Sequence, residues 1–216
     1  MIKRKLILST GNKNKVHEIK DILKDLPIEV LSKDDIELGH IDVVEDGTTL
    51  RENSIKKAKE LSEYTDYMVM ADDSGLFVDE LNGEPGVYSN RYAGEPGNDS
   101  ANNTKLLGAL KDMEISKRTA KFMTVIALVT EDKEIITISG EVLGKIEFKN
   151  IGENGFGYDP LFVPEGYDKT FAELGEDIKN TISHRAKALE EMKKVITKLL
   201  EDDNNENNSS KWYPWK

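Results

Sequence analysis

Two adjacent carboxylates, Asp72 and Asp73, follow a short apolar run and precede Ser74 and Gly75. Carboxylates, together with water and substrate phosphates, are the usual ligands of magnesium in proteins. A carboxylate close to such a metal can also accept a proton from an attacking water molecule. A polar turn at the end of a strand would use the same residue types, but the apolar residues on both sides favour a functional site.

The segment 9–15, Ser-Thr-Gly-Asn-Lys-Asn-Lys, joins a β-type run to a helical pattern. The free N–H groups and the dipole of a helix start attract anions. Lys13 and Lys15 would add charge to such a site, and Thr10 and Asn12 would add hydrogen bonds. The segment lacks the glycine spacing and the Lys-Ser/Thr pair of a P-loop. It could cradle a triphosphate, or it could be an ordinary capped connection with solvated lysines.

Residues 155–160, Gly-Phe-Gly-Tyr-Asp-Pro, place glycines on both sides of an aromatic residue. Such glycines let the backbone approach a flat ligand closely. Phe156 or Tyr158 could stack on a base, and Asp159 could accept a hydrogen bond from the edge of that base. The alternative is a rigid turn with one aromatic side chain packed into the core.

Ser183, His184 and Arg185 stand at the start of a late helical pattern. Ser183 can cap the helix, and Arg185 can grip phosphate or carbonyl oxygens through its planar fork. His184 can donate or accept a hydrogen bond near neutral pH, and Lys179 adds a further donor. The alternative is a salt bridge at the helix start. Three scattered histidines and no cysteine argue against a zinc site or a thiolate nucleophile.

The composition restricts the classes of protein to which the chain can belong. Its 216 residues, of which 38% are hydrophobic and 33% charged, are enough for one domain with a substantial core. A net charge of -11 argues against nucleic-acid binding. No apolar run reaches the ~20 residues of a membrane span, and the apolar part of the N-terminal segment is too short for a signal peptide. We expect a cytoplasmic protein.

Hydrophobic periodicity predicts the elements that must position these residues. The predicted strands cover residues 5–9, 28–31, 67–71, 120–130, 134–144 and 161–163, and the predicted helical patterns cover 16–26, 50–64, 98–110 and 182–200. The strand at 67–71 is expected to end where the aspartate pair begins. Residues 201–216 show no periodicity and are predicted to be a disordered tail. Whether its aromatic end docks on a partner or is a cloning remnant stays open.

Four stretches together resemble the family of inosine/xanthosine triphosphate pyrophosphatases, enzymes that remove nonstandard purine nucleotides. They are TGNKNK, ADDSGLFVDELNGEPGVYSNRYAG, GFGYDPLF and KNTISHRAKAL, in the family's order, and the likeness spans residues 3–198. The resemblance implies an α/β fold with two lobes around a central cleft and an elongated, twisted, mixed β-sheet flanked by helices. It implies a single domain over residues 1–200, a homodimer, and hydrolysis of ITP, dITP and XTP to the monophosphate and pyrophosphate with Mg²⁺.

The resemblance also implies roles for individual residues. Asp73 would be the proton acceptor and a magnesium ligand, Asp72 beside it would be a second magnesium ligand, and Ser74 would touch the substrate. The phosphates would be held by Thr10, Gly11, Asn12, Lys13, Asn14, Lys15 and Lys57, and the base would be held by Phe156, Gly157, Tyr158, Asp159, Lys179, His184 and Arg185. The His–Arg pair would read the 6-keto oxygen of hypoxanthine or xanthine, which adenine lacks. Guanine also carries that oxygen, so its exclusion must arise around the 2-amino group.

The loop before the second helix departs from the family pattern. The family often has a metal-binding Glu three residues before a glycine, and if Gly47 is that glycine, the position holds Val44. Glu45 would then substitute as a magnesium ligand with a shift of one residue. Three alternatives stay open: a pyrophosphatase for another nucleotide such as dUTP, a nucleotide-binding module without catalysis, and an interaction protein that acts through its aromatic tail.

Overall fold

A six-stranded sheet forms the centre of the structure, a computed structural model that describes residues 4–204. The strands are β1 (Arg4–Leu8), β2 (Ile28–Ser32), β3 (Met68–Val78), β4 (Thr119–Val129), β5 (Ile135–Ile146) and β6 (Phe162–Pro164). Their order is β2-β1-β3-β4-β5-β6. β1 is parallel to β2 and β3, whereas β4, β5 and β6 follow as antiparallel neighbours. This mixed sheet, flanked by helices, confirms the predicted α/β class.

Five α-helices surround the sheet, and side-chain caps fix where several of them begin. They are α1 (Lys13–Ile22), α2 (Leu50–Ser62), α3 (Asp99–Ala109), α4 (Phe171–Ile182) and α5 (His184–Asn204). Asn12 caps α1, and Thr49 with Glu52 forms a capping box on α2. Helix α4 was not predicted from periodicity, although Thr170 and Glu173 show the same capping-box spacing in the sequence and form that box.

The aspartate pair lies in the middle of β3, so the expectation that the strand ends at Ala71 is wrong. Asp72 pairs with Ile126 of β4 and Asp73 with Val125, and the pairing continues to Val78. The strand continues because β4 satisfies its backbone groups, while cationic side chains compensate the carboxylates on both faces of the sheet.

Three apolar clusters hold the helices against the sheet. Helices α1 and α5 cover one face of β1, β3 and β4, with Leu8, Met70 and Met192 among the buried residues. Helix α2 covers the opposite face through Ala58 and Leu61. A third cluster joins α3, α4 and β6 to the other end of β3, β4 and β5. The first two clusters lie at one end of the long strands and the third lies at the other end. The polar functional residues lie between them.

Helix α5 runs to Asn204, four residues beyond its predicted end at Leu200. The first four residues of the predicted tail 201–216 are therefore helical, and residues 205–216 lie outside the described range. The predicted strands 120–130 and 134–144 are confirmed as β4 and β5, which pair as an antiparallel hairpin across residues 131–133. Between residues 4 and 204, no helix combines the length and apolarity required to cross a membrane.

Candidate active site

A cavity of about 470 Å³ connects the segments that the sequence singles out. This volume is typical of a small-molecule site. Of the expected site residues, the lining includes Thr10, Gly11, Asn12, Asn14, Lys15, Glu45, Lys57, Asp73, Ser74, Phe156, Gly157, Tyr158, Asp159, Lys179, His184 and Arg185. Two expected residues, Lys13 and Asp72, do not belong to this lining. Lys13 is exposed, and its expected contact with phosphate stays a prediction.

The phosphate end of the cleft is formed where β1 leads into α1. Oδ1 of Asn12 accepts hydrogen bonds from the N–H groups of Asn14 at 3.0 Å and Lys15 at 3.2 Å. Thr10 Oγ1 accepts a hydrogen bond from the N–H of Asn12 at 3.2 Å, which fixes the turn before the cap. The start of α1 therefore borders the cleft with its positive dipole end, as an anion site requires.

Asp73 lies on the face of the sheet that α2 covers. Its Oδ2 accepts a hydrogen bond from Asn53 Nδ2 at 3.1 Å, and its Oδ1 lies 3.4 Å from Lys57 Nζ. Burial raises the pKa of Asp73 above its ordinary value, although the charge of Lys57 opposes this shift. Burial also acts to lower the pKa of Lys57, but the charges of Asp73 and Glu45 outweigh it and raise that pKa. A carboxylate with a raised pKa accepts a proton more readily, as a general base must.

Glu45 and Asp73 converge on one position for a cation. The ammonium of Lys57 lies 2.6 Å from Glu45 Oε1 and 3.4 Å from Asp73 Oδ1. Two carboxylates beside a phosphate-binding helix start supply the hard oxygen ligands that Mg²⁺ prefers, with substrate phosphates completing its shell. These residues therefore fit the metal that the resemblance implies, although no group of three His, Asp or Glu side chains between residues 4 and 204 is arranged to hold a metal.

Asp72 faces the other side of β3, because neighbouring side chains in a strand point to opposite faces. Its Oδ2 lies 2.9 Å from Lys15 Nζ and 3.2 Å from both Nε and Nη2 of Arg185. Ser74 Oγ donates to the same oxygen at 3.1 Å. Burial acts to raise the pKa of Asp72, but the charges of Lys15 and Arg185 outweigh it and hold that pKa well below its usual range. Asp72 therefore serves as their counterion, contrary to the expectation that it joins Asp73 at the metal.

A buried chain of charges continues from Asp72 along the cleft. Glu18 of α1 pairs with Arg185 and, at 2.8 Å, with Lys179. Lys179 also lies 2.6 Å from Asp159 Oδ2, and its ammonium stands 4.3 Å from the centre of the Phe156 ring. Burial raises the pKa of Asp159, although the charge of Lys179 opposes this shift. Arg185 thus forms a salt bridge at the start of α5, as the alternative to ligand binding predicted. It also lines the cleft.

The two aromatic side chains of the 155–160 loop have different surroundings. Tyr158 is only 4% exposed, and its hydroxyl donates to the carbonyl oxygen of Ser89 at 2.9 Å. Burial raises its pKa above the ordinary range. The N–H of Phe156 donates to Asp159 Oδ2 at 2.9 Å, so this carboxylate orders the loop. Tyr158 is therefore the aromatic side chain that packs into the core, as expected for a rigid turn. Phe156 is half-buried and is the better candidate for stacking on a base.

His184 lies flat on Phe122, with ring centres 4.8 Å apart and planes inclined by 10°. Its Nδ1 is buried and has no hydrogen-bond partner among residues 4–204. Burial, followed by the charge of Arg185, holds the pKa of His184 well below its ordinary value. The imidazole is therefore neutral at pH 7 and can both donate and accept hydrogen bonds.

The start of α5 holds His184 close to the sheet. The predicted cap is confirmed, since Ser183 Oγ accepts a hydrogen bond from the N–H of Ala186 at 3.1 Å. A Cβ atom at Gly140 of β5 would stand 2.2 Å from the carbonyl oxygen of His184. Glycine at this position therefore permits the close approach that places the His–Arg pair in the cleft.

Sequence reasoning missed four residues of the site. Glu18 lies three residues after Lys15 and four before the buried Ile22, so its place on the inner face of α1 was a readable signal. Asn53 precedes Lys57 by one helical turn, so the sequence also indicated that both residues lie on the same face of α2. Asp99 accepts a hydrogen bond from the N–H of Gly157 at 2.7 Å and lines the cleft, and the neighbouring Asn98 caps α3. Lys33, the fourth, also lines the cleft.

The fold and the cleft define an α/β protein that can hold a polyanion at one end and a polar ring at the other. Residues 6–195 match the model of the Ham1 family, and the chain belongs to this family.

Similar proteins extend over almost the whole chain. A dITP/XTP pyrophosphatase of Clostridium perfringens (strain 13 / Type A) is 51% identical over 203 residues, which cover 91% of this chain and 99% of the relative. A dITP/XTP pyrophosphatase of Clostridium tetani is 48% identical, with 91% and 98% covered. The structure of the Staphylococcus aureus Ham1 protein superposes with a TM-score of 0.80 at 38% identity, with 91% of this chain and all of that chain covered. These findings confirm the resemblance seen in the sequence.

Proposed function

We propose that this protein hydrolyses nonstandard purine nucleoside triphosphates, namely dITP, ITP and XTP, to the nucleoside monophosphate and pyrophosphate. The names of its relatives in two Clostridium species support this substrate class. The observation that carries the proposal is the position of Asp73. Its carboxylate lines a cleft that has the helix-start anion site at one end and Lys179, His184 and Arg185 at the other.

In the proposed reaction, water attacks and the anhydride bond between the α- and β-phosphates breaks. The water oxygen becomes part of one product, its proton passes to Asp73, and the bridging oxygen leaves with the other product. The raised pKa of Asp73 suits it to accept this proton. The start of α1, Lys15 and Lys57 hold the phosphates, so that positioning and charge stabilisation provide most of the rate acceleration.

We infer that Asp73 and Glu45 hold Mg²⁺. A bound Mg²⁺ would neutralise charge on the phosphates and orient them. The support is the ammonium of Lys57, which occupies the position between these two carboxylates. Lys57 would then turn towards the phosphates, while Asp72 keeps its role as the counterion of Lys15 and Arg185.

The base would be read by the buried donors at the other end of the cleft. A 6-keto oxygen accepts hydrogen bonds from Lys179, Arg185 or the neutral ring of His184, whereas the 6-amino group of adenine meets two fixed cations there. The free-energy cost of leaving these buried donors without hydrogen-bond partners determines how strongly adenine is rejected. Phe156 would cover the ring of the base.

A nucleotide panel tests the proposed function. Pyrophosphate release is measured with dITP, ITP, XTP, dUTP, ATP and GTP, with and without magnesium. We expect release from the first three and strong dependence on the metal. A strong preference for dUTP would replace the substrate class with the pyrimidine alternative. Nucleotide binding without release from any member of the panel would favour a non-catalytic module.

We further propose that the protein works in the cytoplasm as a homodimer and acts on free nucleotides rather than on nucleic acid. The family resemblance supports the dimer, and a net charge of -11 supports a small-molecule substrate. Light scattering after size exclusion measures the assembly directly, and a monomer at micromolar concentration would contradict the dimer.

A further inference from the structure

Lys33 is a lysine of the cleft to which the function proposed above assigns no role. It directly follows β2, and the register that pairs Leu8 with Ser32 places it next to Ser9, at the beginning of the phosphate loop. Its own N–H donates to the carbonyl oxygen of Leu8 at 3.2 Å, which fixes this position. Because β1 and β2 are parallel, both strands deliver their following residues to one edge of the sheet, where α/β proteins bind ligands.

Lys33 is 9% exposed and lines the cleft. Its ammonium donates to the carbonyl oxygen of Ile41 at 2.5 Å. Ile41 also lines the cleft, and it belongs to the loop that carries Glu45. Lys33 is therefore held beside the start of the phosphate loop, whereas the base-reading residues belong to α4 and α5.

Lys33 differs from the other cations of the cleft in its partners. Lys15 and Arg185 face Asp72, Lys57 faces Asp73 and Glu45, and Lys179 faces Glu18 and Asp159. Among residues 4–204, no such ion pair includes Lys33, whose ammonium meets a neutral carbonyl. A buried charge without a counterion is costly, and an anionic ligand would repay that cost.

We propose that Lys33 binds the terminal phosphates of the substrate, and the pyrophosphate formed from them. This inference rests on the proposed function for the identity of its ligand. It also assigns Lys33 the role that the sequence pattern gave to Lys13, which is exposed and outside the cleft lining. The carbonyl oxygen of Ile41 holds the ammonium in place until phosphate oxygens replace it.

Substitutions at these two lysines provide a matched test. Lys33→Gln and Lys13→Gln each remove one positive charge, the first from the cleft lining and the second from the exposed surface outside it, and Lys33→Arg restores the charge. Binding of inorganic pyrophosphate and of inosine monophosphate is measured by calorimetry with magnesium present. Lys33→Met, which keeps the aliphatic stem, is the second variant if Lys33→Gln does not fold.

We expect Lys33→Gln or Lys33→Met to weaken pyrophosphate binding about tenfold or more, as the loss of a charge-assisted hydrogen bond does. Lys33→Arg should recover most of the affinity, and Lys13→Gln should change it less than about twofold. Monophosphate binding should stay unchanged, because that ligand lacks the terminal phosphates. A purely structural lysine would weaken both ligands equally, and this result, or unaltered pyrophosphate affinity, would overturn the inference.

The same variants separate this inference from the proposed function. Failure of the wild-type protein to release pyrophosphate from any purine triphosphate would end the proposed function, but the affinity for inorganic pyrophosphate would still test Lys33. In an active enzyme, Lys33→Gln should raise KM for dITP more than it lowers kcat, since Lys33 does not touch the proton acceptor.

Discussion

Asp72 and Asp73 are adjacent, chemically identical and both buried, yet they have opposite electrostatic properties. On one face of β3, Asp72 meets two cations and a hydroxyl, and its pKa falls far below the ordinary value. On the other face, Asp73 shares one lysine with Glu45, and burial raises its pKa. The comparison teaches that burial of a carboxylate does not determine its chemistry, because the number and distance of its cationic partners decide the balance.

The two faces therefore serve different purposes. The Asp72 face holds a closed network in which each charge compensates another, and it joins α1, β3 and α5. The Asp73 face holds an incompletely compensated carboxylate that is exposed to a ligand. We expect substitution of Asp72, which lies outside the cleft lining, to affect mainly stability, and substitution of Asp73, which lines the cleft, to affect mainly catalysis.

The largest expected effect is on the rate of the Asp73→Asn variant. Pyrophosphate release should fall by about 10²–10⁴-fold, because the amide cannot accept the proton of the attacking water. The free energy of unfolding should change by less than about 1 kcal/mol, because burial already disfavours the charged form of Asp73. Single-turnover kinetics and urea unfolding measure the two quantities. A large loss of stability with an unaltered rate would remove the distinction between the two faces.

The second effect is on the stability of the Asp72→Asn variant. The substitution leaves Lys15 and Arg185 without their shared counterion, and removing one partner of a buried ion pair costs about 3–5 kcal/mol. Asp46→Asn is the matched control, since Asp46 pairs with Lys56 at 2.7 Å on the surface and should cost less than about 1 kcal/mol. If urea unfolding gives both variants the same loss in the free energy of unfolding, the buried network of Asp72 stabilises the fold no more than a surface ion pair does.

A smaller and pH-dependent effect is expected for Glu18→Gln. Burial acts to raise the pKa of Glu18, but Arg185 and Lys179 outweigh it and lower that pKa below its ordinary value of 4.5. The carboxylate therefore stabilises the fold fully above about pH 4.5, and this contribution is lost as the pH falls through the lowered folded-state pKa. We expect the variant to lose about 2–3 kcal/mol at pH 7. In urea unfolding at several pH values, this difference should shrink on acidification, and a constant difference would contradict the assignment.

Much of the fold could be predicted from the sequence because its signals are local. Alternation and helical periodicity indicated all six strands and four of the five helices. Helix α4 was missed although Phe171, Leu174, Ile178 and Ile182 recur at helical spacing, and its regular turns are interrupted at Gly175, which has a φ of 77°. The continuation of β3 through Asp72 and Asp73 was also missed, because the partners that compensate these carboxylates lie far away along the chain.

The candidate site could be predicted in its members but less well in their arrangement. The family resemblance indicated which segments meet, and 16 of the 18 expected residues line the cleft. It could not assign Asp72 and Asp73 to opposite faces, since that requires knowing that the strand continues through both residues. Nor could the resemblance indicate Lys33, instead of Lys13, as a phosphate-binding lysine. The proximity of Lys33 to the phosphate loop depends on the pairing of β1 with β2.

The smallest effect tests whether Ser74 belongs to the structural face or to the ligand. Its hydroxyl donates to Asp72 Oδ2 at 3.1 Å and lies 2.8 Å from Thr124 Oγ1, yet Ser74 also lines the cleft. Ser74→Ala should cost about 1 kcal/mol of stability, the usual net value of one hydrogen bond. If the hydroxyl acts through Asp72, the costs of Ser74→Ala and Asp72→Asn will be non-additive in the double variant. Additive stability losses combined with a raised KM for dITP would instead make Ser74 a substrate contact that is independent of the Asp72 network.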